Sequence, residues 1–252
     1  MTLRCWLRLS TVLGGATMFR DALLVLAKDL RIEARAKVTV RQVAPFVVTV
    51  MVLFAFGLDR VLVRDANIAD TVTDSVPVAY VVPGLIWLSL LFALLLVVSR
   101  SVSIEEEDGA GDALRLSGLD PAGIFLGKAG AIAVQLVALE ALLVLGSMLF
   151  FQARLHAPLL LVAATALATV GLAAVGTCYG ALSSGLRSRE TLLPVLVMPV
   201  VAPVVLAAVQ AWQLALVGEV GDGWPWVRLL TVFAVVYVSF GVLAYGTLLE
   251  ES

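Results

Sequence analysis

Long uncharged apolar runs, broken by short charged segments, dominate the pattern of this chain. No Asp, Glu, Lys or Arg occurs in residues 42–58, 75–99, 155–186, 191–218 or 229–249, and 129–153 contains one, Glu140. A helix that crosses the hydrocarbon of a bilayer needs about 20 apolar residues, within a range of about 17–25. Six segments meet that length, predicting spans at about 42–58, 78–99, 129–151, 158–183, 191–217 and 229–249. None shows the apolar–polar alternation of a barrel strand, so the spans are helices, which satisfy their own backbone groups in lipid. The predicted fold is all-α: a polytopic membrane protein with six transmembrane helices, forming one domain over residues 42–252.

A different periodicity precedes the first span. Phe19, Leu23, Leu26, Ala27, Leu30, Ala34 and Val38 recur every three or four residues, the spacing of one helix face, while Asp21, Lys28, Arg31 and Arg35 fall elsewhere. Residues 19–41 therefore read as an amphipathic helix lying in the membrane interface, apolar stripe in the lipid boundary and cations toward headgroups. The rival reading is a basic flank that merely orients the first span. Residues 1–18 lack an apolar run long enough for a signal peptide. Met18 followed by a well-patterned helix suggests a second start site, so 1–18 are expected to be unstructured.

Composition excludes a water-soluble domain. Of 252 residues, 61% are hydrophobic and only 14% charged, with a mean hydropathy of +1.04, against about 45–50% and about 25% in soluble domains. The net charge of −2 says less than where the charges sit. Arg4, Arg8, Arg20, Lys28, Arg31, Arg35, Lys37 and Arg41 precede the first span. Arg100, Arg115, Lys128, Arg187 and Arg189 fall on the same side of six crossings, against Arg60, Arg64, Arg154 and Arg228 on the other. By the positive-inside rule both termini of this multi-pass protein are expected in the cytoplasm. No nucleic-acid partner is expected; membrane lipid is. Cys5 and Cys178 lie too far apart for a redox motif or a disulfide framework.

The polar residues that interrupt this pattern are the candidate chemistry. The loop 100–128 reads RSVSIEEEDGAGDALRLSGLDPAGIFLGK, an acidic run followed by Leu114, Leu116 and Leu119, with Asp120–Pro121 as a helix-start signal. It is either a docking element for a partner or a solvated charge run. Gly123, Gly127 and Lys128 resemble a phosphate-binding loop, but the spacing is one residue short and Ala129 replaces the required hydroxyl, so this chain is not expected to bind ATP by itself. Gln135 and Glu140 fall within the third span. An intramembrane carboxyl is a functional hypothesis by default, but no partner for a proton relay is evident, which favours a packing contact inside the bundle. Gly176, Gly180 and Ser184 at four-residue spacing allow close approach of another helix, in the same chain or in a second copy of a homodimer. Pro194, Pro199 and Pro203 predict a kinked or broken fifth span, as found at moving parts of transporters or as simple packing. His156 is the single histidine and reads as an ordinary loop residue rather than a metal or haem ligand. The aspartates of loop 59–77 show no calcium-binding spacing.

Taken together, VPGLIWLSLLFALLLVVSRSVSIEEEDG, the IFLGK that ends the loop, TVGLAAVGT and RSRETLLPVLVMPVVAP resemble the cytochrome c maturation protein B (CcmB) family, the haem exporter B permeases of the type 2 ABC exporter class. The resemblance covers roughly residues 19–249, and the chain departs from the family pattern at Gly111, Arg115 and Gly118. It implies a six-helix permease, non-catalytic itself, whose ATP is hydrolysed on a separate ATPase subunit, cytochrome c maturation protein A. Proteins C and D are further implied partners, with the haem chaperone E downstream. It also implies a role in cytochrome c biogenesis, with haem as substrate of the assembled complex and no cofactor bound by this chain alone. Arg100, Glu105, Glu107, Leu114, Leu116 and Lys128 are the residues expected to couple to the ATPase. The competing readings are a type 2 exporter of a lipid, drug or polysaccharide, a secondary transporter using Glu140, and a structural assembly subunit.

Overall fold

The computed structural model describes residues 3–37, 39–66, 78–107, 118–151, 156–183 and 189–251. In chain order these form α1 (Leu3–Ala36), a π-helical turn (Thr39–Val43), α2 (Ala44–Ala66), α3 (Val78–Glu107), α4 (Pro121–Phe151), α5 (Pro158–Ser183), α6 (Arg189–Val217) and α7 (Val220–Glu251). No strand occurs among the described residues.

Helices α3 to α7 each contain a stretch long and apolar enough to cross a bilayer. The first expected span behaves differently. Arg41 and Asp59 bound its apolar run, and it passes the same test only jointly with α1, as the pair Thr17–Ala36 and Arg41–Gly57 bent by 52°. The count among the described residues is therefore five, or six with the bent pair as one span.

One expectation needs correction. The helix runs from Leu3, through the segment expected to be unstructured; once the docked part of α1 is formed, extending it costs little compared with nucleating it. Of the kinked or broken fifth span expected, the structure has no break: α6 continues through Pro194, Pro199 and Pro203. Within this segment the Tyr237 hydroxyl of α7 donates to the Val200 carbonyl at 2.8 Å. The small-residue ridge of α5 serves a neighbour in the same chain. Methyls built on Gly176 would meet Leu94 and Val98, and on Gly180 Val98 and Val102, all of α3. Ser184 lies outside the described residues.

Helix α5 is the centre of the bundle, with an unbroken buried run from Gly171 to Cys178. Around it, Trp87 of α3 meets Trp212 of α6 edge to face, with ring centroids 5.8 Å apart. Gly241 of α7 abuts the Phe125 ring of α4. Helices α3 to α7 alternate in direction, which gives the bundle two ends, while α1 and α2, bent by 52° between them, follow one another along α4. At the end away from the 100–128 loop, the Ala157 amide donates to Ala215 O and His156 Nδ1 lies 2.7 Å from Leu216 O, beside Gly218 at φ +93. A carbonyl only accepts, so Nδ1 carries the proton and His156 caps the end of α6. The other end, here the loop end, holds the candidate site.

Candidate functional site

Helix α1 does not lie loosely beside the bundle; it is seated on α4. Gly123 and Gly127 form the seat. A methyl on Gly123 would lie 2.9 Å from Met18 O, and one on Gly127 would lie 2.6 Å from Val25 Cβ and 2.7 Å from Ala22 O. The glycines that mimic a phosphate-binding loop are therefore a small-xxx-small helix seam, which lets two backbones approach closely.

This seat changes the reading of α1 from two faces to three. Met18, Asp21, Ala22, Val25 and Ile32 share the face turned to the bundle, and Asp21 is only 5% exposed. The predicted stripe of Phe19 (65% exposed) and Leu23 (62% exposed) points away from it, where an interfacial helix presents its lipid-facing side. Arg20, Arg31 and Arg35 are exposed on the remaining arc. Asp21 was expected among the solvated charges. Instead its Oδ2 accepts the Asp120 amide at 3.3 Å, at the positive end of the 31-residue α4, where a carboxylate is stabilised. Asp120 itself caps that helix, its Oδ1 accepting the Ala122 amide at 2.9 Å, as the Asp–Pro signal predicts.

The corner between α1 and α2 is built with equal care. Lys37 adopts the left-handed region at φ +52, which costs a non-glycine residue about 1–2 kcal/mol. Three local bonds hold it. The Lys37 amide donates to Glu33 O at 2.7 Å, the Arg41 amide to Lys37 O at 2.9 Å, and the Thr39 amide to Glu33 Oε1 at 2.5 Å. The Thr39 hydroxyl then donates across to Gln135 Oε1 of α4 at 3.1 Å. Gln135, grouped by sequence with the intramembrane residues, thus belongs to the loop end.

These contacts enclose a cleft of about 40 Å³ between α1, α3 and α4. Asp29 and Glu33 contribute from α1; Arg100 and Ser101 line it from α3; Lys128 and Gln135 line it from α4. Asp29 also pairs with Lys28, Oδ1 to Nζ 2.9 Å. Arg100 and Lys128, expected to flank a loop, stand instead on helices: α3 continues to Glu107 and α4 begins at Pro121. Both Glu105 and Glu107 fall on the last turn of α3, while Leu114 and Leu116 lie outside the described residues. Asp21, Asp29, Glu33 and Thr39 were not singled out from sequence. The 18, 22, 25, 29, 32 spacing on α1 is a second helical face that points to them.

Glu140 occupies a separate place in the middle of α4. It is 3% exposed, and its Oε1 accepts the Thr169 hydroxyl of α5 at 2.6 Å. Thr165, one turn along α5, accepts the Trp212 indole N–H at 3.0 Å. Four helices, α3 to α6, are joined through this chain of contacts by the Trp87–Trp212 pair. Glu140 Oε2 has no hydrogen-bond partner among the described residues. The described residues also contain no group of three His, Cys, Asp or Glu able to hold a metal ion.

The family model described as CcmB protein matches residues 20–252. The heme exporter protein B of Paracoccus denitrificans is 28% identical over 196 residues, covering 74% of this chain and 80% of that protein. That of Pseudomonas aeruginosa is 32% identical over 167 residues, 64% of this chain and 73% of the relative. A third, from Rhodobacter capsulatus, is 29% identical over 189 residues, 72% and 78% of the two chains.

Proposed function

Because this chain belongs to the CcmB family, we propose that it is the permease subunit of a membrane complex for cytochrome c biogenesis, handling or exporting haem. The observation that carries this reading is the continuity of the family match, which runs through every span and loop from residue 20 to the C-terminus. The relatives named as heme exporters cover most of the chain as well. Haem is cargo in this reading, and ATP is hydrolysed on a separate subunit, cytochrome c maturation protein A. Proteins C and D complete the assembly, and the haem-loaded chaperone E leaves it. The thirteen-to-four distribution of Lys and Arg supports a cytoplasmic loop end and cytoplasmic termini, and the membrane in this reading is the bacterial inner membrane.

On this reading the loop end is where the ATPase engages. A partner's closure shifts the permease only through contacts that differ between the two states. The segment between α3, which ends at Glu107, and α4, which starts at Pro121, is the one long connection on that side in the proposed topology, and its two flanking helices descend directly into the bundle. Its acidic run meets basic residues of the partner, and Leu114 and Leu116 fill a groove. Replacing Glu105 and Glu107 together by alanine is expected to weaken co-purification of the ATPase, or to uncouple hydrolysis from cytochrome c maturation, with the permease still inserted. Full association together with full maturation in that variant overturns the coupling assignment.

A further inference from the structure

We propose that His156 is an axial ligand for haem iron, in a cargo-docking site at the end of the bundle away from the 100–128 loop. The inference deepens the reading of haem as cargo and rests on it. The imidazole is already half committed. Its Nδ1 hydrogen goes to Leu216 O at 2.7 Å, so in the neutral ring Nε2 holds no proton and presents a lone pair. Metal-ligating histidines are built in this way, the far nitrogen tied to a carbonyl that fixes tautomer and ring orientation. The tie is itself anchored. The adjacent Ala157 amide donates to Ala215 O at 3.2 Å, and Gly218, at φ +93, brings its turn against the His156 side chain. His156 is exposed, so a cargo reaches it without opening the bundle.

The surface beside the ring suits a porphyrin. Val217 adjoins the Leu216 carbonyl that holds the imidazole, and Val220 follows in the same turn; both are exposed. On α7, Val220, Trp224 and Arg228 recur every four residues and so share one face, and all three are exposed. Apolar side chains and an aromatic ring match the flat macrocycle. A guanidinium matches a propionate, which it holds through two parallel hydrogen bonds. At 1.5 Å per residue, Val220 to Arg228 spans about 12 Å, a length comparable with a porphyrin and its propionates. Arg228 directly precedes the uncharged run 229–249, so its charge lies at headgroup level and the strip leads from the membrane surface to His156. Asp222, the acid in the first turn of α7, is two residues from both Val220 and Trp224 and falls on the opposite side of the helix. One histidine supplies one axial ligand, which leaves the other iron face open to the next carrier. Counting ligands along the sequence rejects a single histidine; the committed Nδ1 that singles it out exists only in the fold.

The full chain is produced with ¹⁵N-labelled histidine, purified on a tag free of histidine and reconstituted in nanodiscs. Because the sequence contains a single histidine, the label reports on His156 alone. Haem is titrated in and reduced, and the iron–nitrogen stretch is read by resonance Raman spectroscopy. The band is expected to shift with the label. His156→Ala is expected to remove it and to weaken haem binding by at least about tenfold, and imidazole added from solution to restore a band that ignores the label. Arg228→Gln is expected to weaken binding by about threefold with the band retained, the effect of an exposed ion pair. A band in the wild type that ignores the label, or haem uptake no greater than that of empty nanodiscs, overturns the proposal, and neither measurement requires a variant to fold. Unchanged haem affinity and spectrum in His156→Ala overturn it as well. Deletion of the chain in cells tests the underlying reading separately. Ligation by His156 with cytochrome c maturation intact in the deletion strain overturns the permease reading and leaves the site. Lost maturation without ligation by His156 overturns the site and leaves the reading.

Discussion

Replacing Gly127 by alanine decides whether α1 is an integral part of the bundle. The added methyl would stand 2.6 Å from Val25 Cβ and 2.7 Å from the Ala22 carbonyl oxygen, where favourable contact lies at about 3.5–4.0 Å. One obstructing atom is backbone, so no rotamer change relieves the overlap, and α1 must retreat by roughly 1 Å. Overpacking of this kind costs about 1–3 kcal/mol. The better helix propensity of alanine offsets up to about 1 kcal/mol of that. Gly84→Ala isolates the offset, since nothing lies within 4 Å of a methyl there. Thermal unfolding of the purified protein in detergent should rank G127A below the wild type and G84A at or above it. The seam itself is read by maleimide labelling of Ala22→Cys in a background lacking Cys5 and Cys178, with faster labelling expected when Gly127→Ala is added. If G127A melts with G84A and labelling is unchanged, α1 is not seated on α4 as described.

The remaining predictions concern separate parts of the molecule. Glu140→Gln, which keeps an acceptor for the Thr169 hydroxyl, should melt close to wild type, and Glu140→Ala should cost about 0.6 kcal/mol and at most about 1.7, the range of interhelical hydrogen bonds in membranes; a larger loss for Gln than for Ala contradicts the packing role. Cysteines placed at Asp70 and Arg187 should label from opposite sides of the membrane, and labelling of both from one side refutes the topology. The purified chain alone should bind no nucleotide, checked with a fluorescent ATP analogue, because its glycine pair is filled by α1 and lacks a phosphate cradle.

The membrane class of this fold is legible in sequence because lipid imposes one dominant rule: charges leave the hydrocarbon and helices fill it. That rule yields α3 to α6 almost to their ends on the distal side, whereas α7 starts at Val220 instead of 229 and carries Asp222 and Arg228 in its first turns. At the loop end it fails by design, since α3 and α4 continue past the hydrocarbon as charged helices, and uncharged runs do not report where a helix stops. The Asp120–Pro121 signal marks the start of α4 correctly because capping is local. The face of α1 is not local. Hydrophobic periodicity finds Phe19 and Leu23, which turn to lipid, and misses the polar strip of Asp21, Asp29 and Glu33. Those residues are turned inward because α4 offers them an amide and the corner at Lys37 offers another. Periodicity ranks positions by apolarity, and in an interface it selects the side away from the protein. Gly123 and Gly127 were legible as an anomaly, a motif with the wrong spacing. Only the packed partner shows their purpose.

The placement of α1 also bears on how force enters the bundle. Three separate contacts tie it to α4: the glycine seam, the Asp21 carboxylate on the Asp120 amide, and the Thr39–Gln135 bond at the corner. They span residues 18 to 39 of one element and 120 to 135 of the other, so neither helix rotates far without breaking several at once. A partner that grips the loop from α3 to α4 therefore moves α1 as well, because the root of that loop at Asp120 is the group that Asp21 holds. Motion then reaches the membrane along two routes. One runs down α4 to Glu140 and its contact with α5. The other runs through the Lys37 corner to α2, which counts as a span only jointly with α1. A variant that loosens α1 from α4 should therefore weaken coupling even with the α3–α4 connection intact.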